Sequence, residues 1–134
     1  MNSMSDLRTL DDELLTEMTA LEALNAQSDF DLKVLSNIRY RISRTIVARR
    51  KLVDALLQEV IAEGGERAGT ARAELERSMA VRAQYTAHVS AWTPATVARD
   101  WPGYCEACAG LRKAIRAKVA AQKPILYPWL ALAP

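Results

Sequence analysis

Apolar residues recur at spacings of three and four along most of this chain, the period of helices that bury one face. Leu7, Leu10, Leu14, Met18 and Leu21 mark a first helix, with Asp12, Glu13 and Glu17 on its flank. A strict four-three alternation from Leu7 passes through position 11 instead of 10 and turns Asp11 inward, so the phase stays open at that point. Asp29 or Asp31 can cap a second, long helix that carries Leu35, Ile38, Ile42, Ile46, Val53, Leu56 and Val60 on one face. Gly64-Gly65 ends it near Glu63, because glycine reaches left-handed backbone angles without a steric penalty.

A third helix is predicted from Glu66 to Trp92, and its alanines leave two faces open. One runs through Leu75, Met79, Tyr85, Val89 and Trp92, the other through Val81, Tyr85, His88 and Trp92. Thr93-Pro94 is a cap followed by a first-turn proline and predicts a short helical turn over 94–99. Asp100-Trp101-Pro102 repeats that chemistry and launches a last helix to about Lys123, where Pro124 predicts a kink or break. Residues 1–5 are small and polar and are expected to be disordered. Residues 124–134 form an apolar tail expected to pack on the bundle or on a partner. Four helices with short connections predict an all-α, up-down-up-down four-helix bundle, residues 1–134 forming one domain.

Two cations interrupt the apolar stripes. Leu111, Ile115, Ile125 and Trp129 share a stripe with Lys118 and Gln122, and the step from Ile46 to Val53 passes through Arg49. A charged head facing a core costs several kcal/mol, as an order of magnitude, unless it is paired, hydrogen-bonded, deprotonated or able to reach water. Either both stems lie over the core with their heads in solvent, or the bundle keeps a polar centre.

The end of the last helix resembles hemerythrin-like (HHE-type) four-helix bundles. There a ligand His is followed four residues later by a ligand Glu, and then by an aromatic-Pro pair. Ile125-Leu126-Tyr127-Pro128 matches that ending, with Lys118 in the place of the His and Gln122 in the place of the Glu. The framework of IRYRISRTIVARRKLVDALL is similar to the second helix of the family and puts Arg49 and Val53 at its His and Glu positions. Asp54, next to the missing Glu, points about 100° away on an ideal helix. Asp11 or Asp12 stands near the first-helix ligand, and His88 alone matches a ligand by type. The resemblance implies the bundle fold. With Asp11, Asp12, Arg49, Val53, His88, Lys118 and Gln122 as vestigial positions, it also implies that the di-iron centre is lost, since such a site needs several imidazoles and carboxylates from different helices. Arg49 and Lys118 are then expected to replace the charge of the ions, with Asp11 or Asp12, Gln122, Tyr85 and His88 as candidate partners.

Composition narrows the remaining classes. Eighteen Lys and Arg against sixteen Asp and Glu leave a net charge of +2, too small to point to nucleic acid, and Arg39, Arg41, Arg44, Arg49, Arg50 and Lys51 spread around their helix. No apolar run approaches the roughly 20 residues of a membrane span, and the N-terminus lacks a basic and apolar leader, so a cytoplasmic location is expected. Cys105 and Cys108 have neither the strand-rich setting of a redox pair nor a second pair of zinc ligands, and Cys108 shares a stripe with Tyr104 and Leu111, as a buried thiol does. No phosphate loop or nucleophile-base set appears. The expected function is that of a non-catalytic interaction or regulatory module with no cofactor. It would bind a protein partner or itself through a surface including Trp92, Trp101, Tyr127, Trp129 and Leu130. The alternative is a sensor or carrier using a metal or small-ligand pocket near His88.

Overall fold

The computed structural model describes residues 3–131. Its elements are α1 (Ser3–Asn25), α2 (Leu32–Glu63), α3 (Glu66–Ala91), α4 (Pro94–Arg99) and α5 (Trp101–Ala131). The chain is all-α: among the described residues there is no strand, and four long helices are joined by short connections. α1 packs against α2 and α5, and α3 against the same two. α1 and α5 run antiparallel, since Asp11 meets Tyr127, Glu22 meets Arg116 and Asn25 meets Arg112.

The buried faces settle the phases that the sequence left open. In α1 the inward set is Leu7, Asp11, Leu14, Met18, Leu21 and Leu24, so the four-three alternation holds and Leu10 lies at the edge. In α2 it is Leu35, Ile42, Thr45, Arg49, Val53, Leu57 and Val60. In α3 it begins with Ala68, Ala71, Glu74 and Ser78 and continues through half-buried Val81, Tyr85, His88 and Trp92. The alternative face is corrected: Met79 and Val89 are exposed, and the buried side is led by the small residues Ala68, Ala71 and Ser78. In α5 the stripe is Tyr104, Cys108, Leu111, Ile115, Val119, Gln122, Leu126 and Leu130. Lys118, Ile125 and Trp129 are therefore one position off its centre and half-buried.

The ends follow from capping. Asp31 adopts extended angles and its carboxylate accepts from the Lys33 and Val34 amides. Gly64 and Gly65 both have positive φ, 74° and 79°, and turn the chain from α2 into α3. The Thr93 hydroxyl caps α4, and Asp100 accepts from the Gly103 amide at the start of α5. Trp101 donates its indole N–H to the Gln27 carbonyl at 3.0 Å and stacks on Phe30, tying the α1–α2 connection to α5.

Two expectations about the ends are corrected. Ser3–Ser5 belong to α1, residues 1 and 2 lying outside the described residues. α5 does not break at Pro124 but continues through Pro124 and Pro128 to Ala131, residues 132–134 again lying outside. Both prolines are exposed, as is Ala120, so the carbonyls that lose an amide partner at positions 120 and 124 face water. The opposite side, Gln122, Leu126 and Leu130, stays anchored in the core. Among the described residues no helix is long and apolar enough to cross a membrane.

Candidate functional site

The polar centre of the bundle begins at Asp11 and Arg49. Arg49 Nε donates to Asp11 Oδ1 at 2.5 Å, with both side chains at least nine-tenths buried, and Tyr127 donates its hydroxyl to Asp11 Oδ2 at 2.6 Å. Each carboxylate oxygen thus has a donor, and α1, α2 and α5 are joined at one level. Satisfying the charge in this way avoids the penalty of a buried, unpaired ion. Burial, with the hydrogen bond to Asp11 and its negative charge, pushes the Tyr127 phenol up, so it stays a donor throughout the neutral range.

The other positions divide around that centre. Asp12 is exposed and takes no part. Gln122 is buried and donates to Ser78 Oγ at 2.9 Å, and its own Oε1 has no partner among the described residues. Lys118 makes no ion pair or hydrogen bond among the described residues. It lines a cavity of about 110 Å3 with Arg49, Arg50, Val53, Asp54, Ser78 and Arg82. Asp54 receives two contacts from Arg82 Nη2, at 2.9 and 3.0 Å. Burial, followed by the charges of Arg49, Arg82 and Arg50 and opposed by Asp54, lowers the Lys118 amine to about 8.

His88 lies elsewhere. It lines a second cavity of about 270 Å3 with Met18, Ile42, Tyr104 and Cys108. Tyr104 is buried under an aromatic cluster: His88 stacks on it at 5.7 Å, Trp92 meets it edge-on at 5.6 Å, and Trp101 lies 5.7 Å away. Burial lowers the His88 imidazole, assisted by the charge of Arg39, and burial raises the Cys108 thiol. Cys108 Sγ lies 3.9 Å from His88 Nε2. Near neutral pH this is a neutral ring beside a protonated thiol, the reverse of the ionised pair that makes a cysteine nucleophilic.

Both cavities open along the seam between α2 and α3 and meet at Ser43, Tyr85 and Ile115. Taken together as the α2–α3 cleft, they comprise a cationic lobe at Lys118 and an aromatic lobe at Tyr104 on either side of that shared layer. Three of the exposed large apolar side chains, Tyr40, Val47 and Val89, stand in its walls. Among the described residues, no three His, Cys, Asp or Glu side chains converge as a metal-holding group. The C-terminal aromatics turn inward: Leu130 is buried, Trp129 and Tyr127 pack on the cluster of Leu7, Leu57 and Leu126, and Trp92 and Trp101 pack around the other core.

Sequence reasoning missed Glu74, Ser78 and Arg82 as buried or half-buried polar residues, whereas Tyr104 lies on the predicted stripe of Cys108 and Leu111. For Ser78 a signal existed, since with Ala68 and Ala71 it continues a row of small residues at helical spacing, and Glu74 falls in the same row. For Arg82 there was none, because its role depends on which residue of α2 it meets.

No family model, curated protein or solved structure matches this chain.

Proposed function

We propose that this chain is a non-catalytic, up-down-up-down bundle of the hemerythrin-like kind, with an internal ion pair at the level of the family's metals, and that it works as a small-ligand sensor or carrier. The antiparallel α1–α5 pairing and the short α1–α2 and α2–α3 turns support the topology. The observation that carries the function is the α2–α3 cleft. It is concave, and side chains from all four long helices line about 270 Å3 beside His88. A concave, mostly apolar site with a few polar groups is the usual form of a small-molecule pocket.

Arg49 argues against a metal ion at this level of the bundle. A guanidinium has no lone pair to give a metal, and its positive charge repels one. The Cys108-His88 pair lacks the charge state for attack on a substrate. A protein-docking role for Trp92, Trp101, Tyr127, Trp129 and Leu130 draws less support, because these side chains spend most of their surface on the interior.

Two measurements test the reading. Elemental analysis of protein purified without chelator is expected to find far less than one metal per chain, and near-stoichiometric iron would overturn the ion-pair substitution. Titration with a neutral apolar probe, 2-naphthylmethanol, is expected to give saturable binding that Ser43→Phe weakens by filling the junction of the lobes. Non-saturable uptake, or binding indifferent to that substitution, refutes the cleft as the site.

A further inference from the structure

The two lobes differ in chemistry: the one beside Tyr104 is the more apolar, its two cations being Arg39, which lies over the Tyr104 ring, and Arg112, which donates to Asn25 Oδ1, and the difference specifies a class of ligand. In the polar lobe, Arg49, Arg50, Arg82 and Lys118 face one carboxylate, Asp54. Arg49 is matched by Asp11 from outside the lining, and Arg82 by Asp54. Arg50 and Lys118 have no ion-pair partner among the described residues, so two positive charges are left over on α2 and α5. Lys118 is also half-buried, which makes an unmatched charge there costly. Ser43 and Thr86 add hydroxyl donors to the same walls. The aromatic lobe is close to twice the size of an apolar cavity of about 150 Å3 that accommodates benzene.

We propose that the cleft binds a small organic anion, with an aromatic body of about two fused rings in the lobe beside Tyr104 and His88 and an anionic head group against Lys118 and Arg50. The head supplies the negative charge that this part of the bundle lacks. The body buries against Met18, Ile42 and Tyr104, and the two ends meet across the layer of Ser43 and Tyr85. The inference rests on the cleft being a ligand site and adds what the ligand must be. A carboxylate and a phosphate monoester share the required chemistry, the second offering an additional charge to the pair of cations.

Isothermal titration calorimetry of the full chain with 2-naphthoate, 2-naphthyl phosphate and the neutral 2-naphthylmethanol tests this. At least one of the anions is expected to bind about tenfold or more tightly than the alcohol, a difference of about 1.4 kcal/mol, and which of the two is tighter identifies the head group. Lys118→Met should remove most of that preference, the anions losing far more affinity than the alcohol. Lys118→Arg should retain it. Because Lys118 has no hydrogen-bond partner among the described residues to leave unpaired, both variants are expected to fold, and far-ultraviolet circular dichroism checks this. If the alcohol binds as tightly as both anions, or Lys118→Met keeps the preference, the anion inference fails while the cleft stands. If none of the three binds, both readings fall together.

Discussion

Replacing Lys118 by Met should stabilise the protein near neutral pH, and the gain should vanish in alkali. In the folded chain the amine is held at about 8, against an ordinary 10.5 in the unfolded chain. Each pH unit between those values corresponds to about 1.4 kcal/mol. The charged amine therefore costs the fold about 3 kcal/mol, reduced to about 2 by the part of the head that reaches solvent. The sign follows from proton binding. Below pH 8 both states carry the proton and the full cost is present; between 8 and 10.5 the unfolded chain keeps a proton that the folded chain has lost, so stability rises with pH.

The groups facing the amine are Arg49, Arg50 and Asp54 from α2 and Arg82 from α3, with apolar Leu14 from α1. The guanidiniums stay charged throughout, so Lys118 sets the window. Cys105, Cys108, Tyr104 and Tyr127, whose ionisation burial disfavours, oppose the rise above about pH 9, which is why the comparison between variants is the informative quantity. Urea unfolding followed at 222 nm should place Lys118→Met about 2 kcal/mol above the parent at pH 6.5, or roughly 7 °C in melting temperature, and level with it near pH 10. Lys118→Arg, charged at every pH, should fall below the parent above pH 9. A variant difference that stays flat from pH 6.5 to 10, or a Lys118→Met protein less stable than the parent at pH 6.5, would refute the assignment of Lys118 as an unmatched interior charge.

The ion pair at the centre calls for a double-mutant cycle: Arg49→Met and Asp11→Leu should each cost about 3–5 kcal/mol in urea unfolding, and the double variant should recover most of the loss. Additive losses would mean that the pair is not coupled. Tyr127→Phe removes a donor to Asp11 and should cost about 1–3 kcal/mol, a smaller loss than either partner of the ion pair. Gly64→Ala should destabilise by about 1 kcal/mol because its φ of 74° strains any side chain although space is free, whereas Gly110→Ala, on the open side of α5, should stabilise by up to about 1 kcal/mol. With a thiol-specific disulfide reagent at pH 7, partly exposed Cys105 should react before buried Cys108. Equal rates would contradict the burial of Cys108.

The helices and their ends were legible in the chain because their causes are local. Asp31, Gly64-Gly65 and Thr93-Pro94 act on backbone groups within a few residues, and apolar spacing alone placed the inner faces of α1 and α2 to within one position. That Arg49 interrupts an apolar stripe was equally plain. What answers it was not: Asp11 lies 38 positions from Arg49 and Tyr127 lies 116 from Asp11 along the chain, and only packing of α1, α2 and α5 brings them to one point. Pro124 was misjudged for the same reason. A proline's lost hydrogen bond is a local fact, but whether the helix survives depends on which side faces water and how firmly the other side is held. The face of α3 and the cleft along it likewise belong to tertiary structure. Alanines carry too little hydrophobic contrast to choose a direction, and an unfilled volume exists only between elements, where no single stretch of sequence records it.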